Sequence, residues 1–138
     1  MGKAMNIFPI PPDRIRGLNS NVWEGLERSL TFNDRGFEVG DIKELLEQGR
    51  LVLVILTDGP VWQAAIVCEH VKYPQMLRVR ILAMTGFAPL EVWLYEFRDR
   101  MLDYAKNVGA SGFEAVLRPG LARKLGFAHA PRWAVMES

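Results

Sequence analysis

Few side chains in this sequence are of types that do chemistry, and their spacing limits which can act together. Cys68, Glu69 and His70 stand in one run. On a strand, alternate side chains share a face, so Cys68 and His70 would lie together and Glu69 would point the other way. A thiolate–imidazole pair is a nucleophile pattern, but a lone cysteine is more often buried packing. One cysteine and two histidines do not make a zinc site, so no metal is expected. Glu69 is the candidate general base: a partly buried carboxylate on a central strand suits proton removal from an ammonium group. A surface glutamate beside Lys72 is the plainer reading of the same residue. The other candidate is a turn, Thr85-Gly86-Phe87-Ala88-Pro89-Leu90. A helix following a strand so closely presents unpaired N–H groups and the positive end of its dipole to an anion such as a phosphate. An ordinary strand-to-helix connection has the same appearance. Arg78 and Arg80 share a strand face and suit either an anionic ligand or a snorkelling position over the sheet.

These residues depend on a strand–turn–helix unit spanning Gln75 to Tyr104. In Leu77 to Met84, positions 77, 79, 81 and 83 are apolar, the row a strand lays against a core. Arg78, Arg80, Leu82 and Met84 would then share the opposite face. Gly86 is free to take a positive φ, and Pro89 suits the first turn of a helix. From Leu90 the period changes. Leu90, Trp93, Leu94, Phe97, Met101, Tyr104 and Val108 recur at helical spacing, with Gly109 as the stop.

Earlier in the chain, residues 6–10 read as a short edge strand limited by prolines. Asn21 to Glu24 has capping-box spacing ahead of a stripe formed by Val22, Leu26 and Leu30. Residues 31–40 read as a loop. A second helix opens at Asp41 with Glu44 as its capping partner, and Gly49 ends it. Residues 51–56 are continuously apolar, as in a strand covered on both faces. Asp58-Gly59 signals a hairpin whose return strand is 61–71. Downstream, 113–117 suits a strand, 121–125 a short helix and 132–136 a last strand. Trp62, Trp93 and Trp133 are expected as core or interface anchors. The order is β-α-α-β-β-β-α-β-α-β, a mixed α/β (α+β) layer fold in one domain over residues 1–138.

Bulk properties bound the function. With 138 residues, 49% of them hydrophobic, the chain can bury a real core. A net charge of +1 makes no electrostatic case for nucleic acid or acidic membranes as the main partner. A single cysteine excludes an internal disulfide framework and fits a reducing compartment. No apolar stretch approaches the roughly 18–20 residues of a membrane span. The N-terminus has no signal-type apolar run, so a cytoplasmic protein is expected.

The element order resembles the GNAT superfamily of N-acetyltransferases. Arg123-Lys124-Leu125-Gly126-Phe127 is similar to that family's short helix ending in a Lys-x-Gly-Phe turn, and Asp41 to Gly49 to its second helix. The resemblance implies acetyl-CoA as cofactor. It places Leu82, Ala83 and Met84 against the pantetheine arm, and Thr85, Gly86, Phe87, Ala88 and Leu90 around the pyrophosphate. It makes the loop from Thr31 to Val39 the acceptor-contacting segment, with Phe32, Asp34, Arg35 and Phe37 able to read a substrate. Only Gly86 and Ala88 match the loop's small-residue pair, Ala83 replaces its basic or amide residue, and Pro89 removes an N–H. Ala122 stands where many members carry a tyrosine acid, and Leu117-Arg118-Pro119-Gly120 where many place an asparagine. The family does not fix a general base, which leaves Glu69 as argued from its own position. The implied function is acetyl transfer to a small-molecule or protein primary amine. Its alternative is a catalytically inactive GNAT-like protein with a protein partner or a homo-oligomeric role, similar to degenerate members of tailed phages and prophages and located in a virion.

Overall fold

The computed structural model describes residues 5–29, 38–115, 128–130 and 133–137. The strands are β1 (Met5–Ile10), β2 (Val52–Asp58), β3 (Val61–Tyr73), β4 (Met76–Gly86), β5 (Gly112–Ala115), β6 (Ala128–Ala130) and β7 (Trp133–Glu137). The helices are α1 (Ser20–Ser29), α2 (Val39–Glu47) and α3 (Leu90–Asn107). The strands form one seven-stranded sheet in the order β1-β2-β3-β4-β5-β7-β6. The β4–β5 pair is parallel, with α3 as its crossover, and the other pairings are antiparallel.

The continuous apolar run of β2 follows from burial on both faces. Leu53 and Ile55 pack with Ile15, Val22, Leu26, Ile42 and Leu46 on the α1–α2 side. Val54 and Leu56 pack with Trp93, Leu94, Phe97 and Met101 on the α3 side. Helices α1 and α2 have 10 and 9 residues, shorter than the ~12–15 that hold alone in water, so this packing sustains them. At the Asp58-Gly59 hairpin, Gly59 takes φ 58°, and Gly49 takes φ 74° after α2. Among the described residues no helix is long and apolar enough to cross a membrane.

Several local expectations are corrected. Helix α1 begins before Asn21, because the Asn19 side chain accepts the Asn21 N–H at 2.9 Å and its carbonyl accepts the Val22 N–H at 3.1 Å. Asp41 lies inside the first turn of α2, where its carboxylate accepts the Glu38 N–H at 3.0 Å. A 3-10 turn over Pro12–Gly17 buries Ile15. Pro89 precedes α3 as its cap, with ψ 141°, rather than entering the first turn. The last strand is one arm of a β6–β7 hairpin. The short helix at 121–125 lies outside the described residues.

Candidate functional site

The apolar alternation of β4 does not persist to its end. Val67 pairs with Ala83 and Cys68 with Ile81, so Leu82 is an extra residue, a bulge. The bulge exchanges the faces. Val79 and Ile81 face α3, whereas Ala83 joins the α1–α2 core and Met84 packs toward α3. Ala83 is therefore not in the row of 77, 79 and 81, and Met84 does not share the face of Arg78 and Arg80. A one-residue insertion in a period of two has this effect on all that follows.

The bulge lies just beyond the last described β4–β5 pair. Parallel pairing of β4 with β5 covers Val79–Phe113, Arg80–Glu114 and Ile81–Ala115. From Leu82 to Gly86, β4 continues alongside β3 with no recorded β5 partner among the described residues. Beyond those described pairs, one row of β4 backbone groups faces away from β3.

The hydrogen-bond parity identifies that row. The Phe87 N–H donates to the Gln63 carbonyl at 2.9 Å. In an antiparallel ladder bonded and non-bonded pairs alternate, so Thr85 bonds toward β3 while the N–H groups of Met84 and Gly86 turn away from it. Met84 is already engaged: its N–H donates to the Ser29 hydroxyl at 3.3 Å. Among the described residues, the N–H groups of Gly86, Ala88, Leu90 and Glu91 have no recorded acceptor outside the sheet ladder, and the last two open the 18-residue α3. The turn is held from below, since Trp93 Nε1 donates to the Ala88 carbonyl at 3.0 Å. Gly86 is required by that ring and not by a positive φ. A Cβ there would stand 2.8 Å from Trp93 Cζ2. Phe87 is exposed and stands 6.5 Å, centroid to centroid, from Trp62. Gln63 is buried, and its Oε1 has no partner among the described residues.

Helix α1 is seated on the free end of β4. At Gly25 an added Cβ would come within 2.2 Å of Thr85 Oγ1, so only glycine permits this approach. That seating brings Ser29 to Met84. The Ser29 hydroxyl also donates to the Leu26 carbonyl at 3.0 Å, so it is oriented from both sides.

Within the described β4–β5 pairs lies a polar network that sequence reasoning missed. Arg80 Nε bonds Glu114 Oε2 at 3.3 Å, and Arg80 Nη2 donates to the Tyr73 hydroxyl at 2.9 Å. That hydroxyl donates to Glu114 Oε1 at 2.9 Å. Glu69, the predicted base, pairs with Arg80 Nη1 at 3.6 Å. The Glu69 side chain is 30% exposed against 3% for Glu114, so Glu69 is the carboxylate a solute can reach. A charged residue inside the apolar run Phe113-Glu114-Ala115 was the available signal for this network. Nothing in the sequence marked Ser29.

Cys68 and His70 do share a face, but not as a nucleophile pair. Cys68 is fully buried, and burial pushes its thiol well above the ordinary range. His70 Nε2 instead lies 2.9 Å from the Tyr104 hydroxyl. Burial pushes the Tyr104 phenol up, and desolvation lowers the His70 imidazole. Among the described residues no group of three or more His, Cys, Asp or Glu is placed to hold a metal ion. A groove lined by Pro9, Ile10, Pro11, Pro12, Gly49, Leu51 and Val52 lies at the far, β1 edge of the sheet and contains no side chain suited to chemistry. Phe32, Asp34, Arg35, Phe37, Ala122 and the Lys124 to Phe127 turn lie outside the described residues.

No protein-family model and no curated protein matches the sequence. Solved structures do match in fold. A GNAT family acetyltransferase from Brucella melitensis, in complex with acetyl-CoA, is similar at a TM-score of 0.62 and 12% identity, over 98% of this chain and 88% of that one. The protein yncA of Salmonella typhimurium, solved with its cofactor acetyl-CoA, gives 0.63 and 12% over 97% and 94%. The GNAT domain of S. lividans PAT gives 0.61 and 13% over 96% and 88%. The chain has the GNAT acetyltransferase fold.

Proposed function

We propose that this protein is an acetyl-CoA-dependent N-acyltransferase whose acceptor is a primary amine. The observation that carries the reading is the course of β4, which bulges at Leu82 and continues, with N–H groups turned away from β3, into the start of α3. The fit to acetyl-CoA follows from the same backbone. The amides of Gly86, Ala88, Leu90 and Glu91 and the α3 dipole suit a diphosphate, although Phe87 and Pro89 contribute no free N–H to it. Leu82, Ala83 and Met84 form the strand end against which the pantetheine arm lies, Met84 through its N–H. Buried Gln63, with an unpartnered Oε1, is a further polar group beside the turn. The structures of this fold solved with acetyl-CoA support the choice of ligand.

When bound, acetyl-CoA supplies an activated acetyl thioester. The chain positions the reactants and moves a proton. Glu69 takes a proton from the acceptor ammonium, freeing the lone pair that attacks the thioester carbonyl carbon. In such a transfer the carbon–nitrogen bond would form as the carbon–sulfur bond breaks, and CoA would leave as the thiol with a proton from solvent. Arg80, fixed by Glu114 and Tyr73, holds Glu69 in place, and the Met84 N–H stabilises charge on the carbonyl oxygen. Phe32, Asp34, Arg35 and Phe37 are assigned to reading the acceptor by the resemblance alone. The test is incubation with acetyl-CoA and a panel of primary amines, with mass detection of the acetylated product and of free CoA. Product that disappears in Glu69→Gln supports the reading. No product and no retained CoA would leave a GNAT fold used for binding or structure.

A further inference from the structure

The Ser29 hydroxyl occupies a position on β4 that the proposed chemistry needs for a ligand. Its oxygen accepts the Met84 N–H at 3.3 Å while its own hydrogen goes to the Leu26 carbonyl at 3.0 Å. The Met84 N–H is one of the outward amides on the stretch beyond the last β4–β5 pair. We infer that Ser29 is a placeholder: it satisfies the Met84 amide in the free protein and gives that amide up to the carbonyl oxygen of an acyl thioester. The inference rests on the proposed function and adds a residue of α1 to the cofactor site.

Three observations converge on this exchange. A half-buried N–H left without an acceptor is costly, so the free protein gains from an internal substitute. A neutral serine hydroxyl at 3.3 Å is a weak acceptor that a polarised carbonyl can replace, whereas a carboxylate there would hold the amide and repel the cofactor's phosphates. Helix α1 is brought close enough by the absence of a side chain at Gly25, so the contact follows from how the helix is built. The same helix leads into the segment proposed to meet the acceptor.

Calorimetric titration of the full chain with acetyl-CoA, comparing the native protein with Ser29→Ala and Ser29→Thr, tests the exchange. Removing the competing hydroxyl tightens acetyl-CoA binding by about two- to tenfold, the range corresponding to one neutral hydrogen bond. Ser29→Thr, which keeps the hydroxyl, retains native affinity. Amide hydrogen exchange gives a second readout independent of activity. Met84 exchanges faster in free Ser29→Ala than in the free native protein, and acetyl-CoA protects it in both. Binding by the native protein with unchanged or weaker affinity in Ser29→Ala overturns the placeholder and leaves the cofactor reading standing. Absence of binding by every variant overturns both.

Discussion

Replacing Gly25 with alanine tests how closely α1 rests on the free end of β4. In an exposed helix interior this substitution stabilises by about 1 kcal/mol, because alanine loses less backbone entropy. Here the new methyl would stand 2.2 Å from Thr85 Oγ1, 2.8 Å from its Cβ and 3.0 Å from its Cγ2. Rotation of Thr85 can move Oγ1 and Cγ2, but Cβ is fixed to the strand. Carbon atoms rest at roughly 3.5–4.0 Å, so α1 must lift or β4 must bend by roughly an ångström. Overpacking of this kind costs about 1–3 kcal/mol. Because the Cβ contact cannot be relieved by rotation, the upper half of that range applies, and the propensity gain offsets about 1 kcal/mol. The expected outcome is a net loss of about 1–2 kcal/mol, a fall in Tm of about 4–8 °C for a chain of this size. Thermal and urea melts followed by circular dichroism read it directly. Thr85→Ala in the same molecule removes two of the three contacts and returns part of the loss, giving a positive coupling energy. A Gly25→Ala protein that melts higher than the native chain would refute the seating of α1, and the approach of Ser29 to Met84 with it.

Further outcomes follow from the polar groups. Arg80→Met leaves the buried Glu114 carboxylate without its cation and costs about 3–5 kcal/mol in urea melts, while Glu69→Gln changes stability by about 1 kcal/mol or less yet removes acetyl transfer. Cys68, fully buried with its thiol raised, stays unmodified by a thiol reagent in the folded chain and reacts on addition of denaturant; mass spectrometry reads both states. His70 carries the pH dependence. Its folded pKa lies below the ordinary 6.5, so its contribution is complete above that value. As pH falls through this range, the unfolded chain takes up the proton first and the contribution is lost. Urea midpoints at about pH 7.5 and about pH 5 show the fall, and His70→Gln makes it shallower.

The layers of the fold were legible because burial leaves a periodic record. The apolar run of β2 and the helical stripe from Trp93 to Tyr104 each admitted one reading, and the two cores bear it out. The bulge at Leu82 was not legible, since an inserted residue leaves the alternating pattern of Leu77 to Ala83 unbroken while changing which face each later residue takes. Helix starts shifted for a related reason. Asn19 and Glu38 lie outside the apolar stripes by which the helices were located, yet their backbone groups determine where the first turn closes. Glu69 stood out because a carboxylate on a central strand is unusual, but its partner Arg80 lies directly opposite it on the neighbouring β4, a pairing set by hairpin register that periodicity alone does not give. Ser29 is visible only in three dimensions, as one polar residue at the end of a short helix that folding brings to Met84.

The central claim is that the end of β4 and the start of α3 receive a CoA diphosphate. Isothermal titration of the full chain with acetyl-CoA, beside Ala88→Glu, tests it most directly, because the substitution places a carboxylate among the amides assigned to the phosphates. The account predicts saturable one-to-one binding by the native chain and none by Ala88→Glu, with the two proteins melting alike. Absence of native binding at millimolar acetyl-CoA, or equal binding by both, would contradict it.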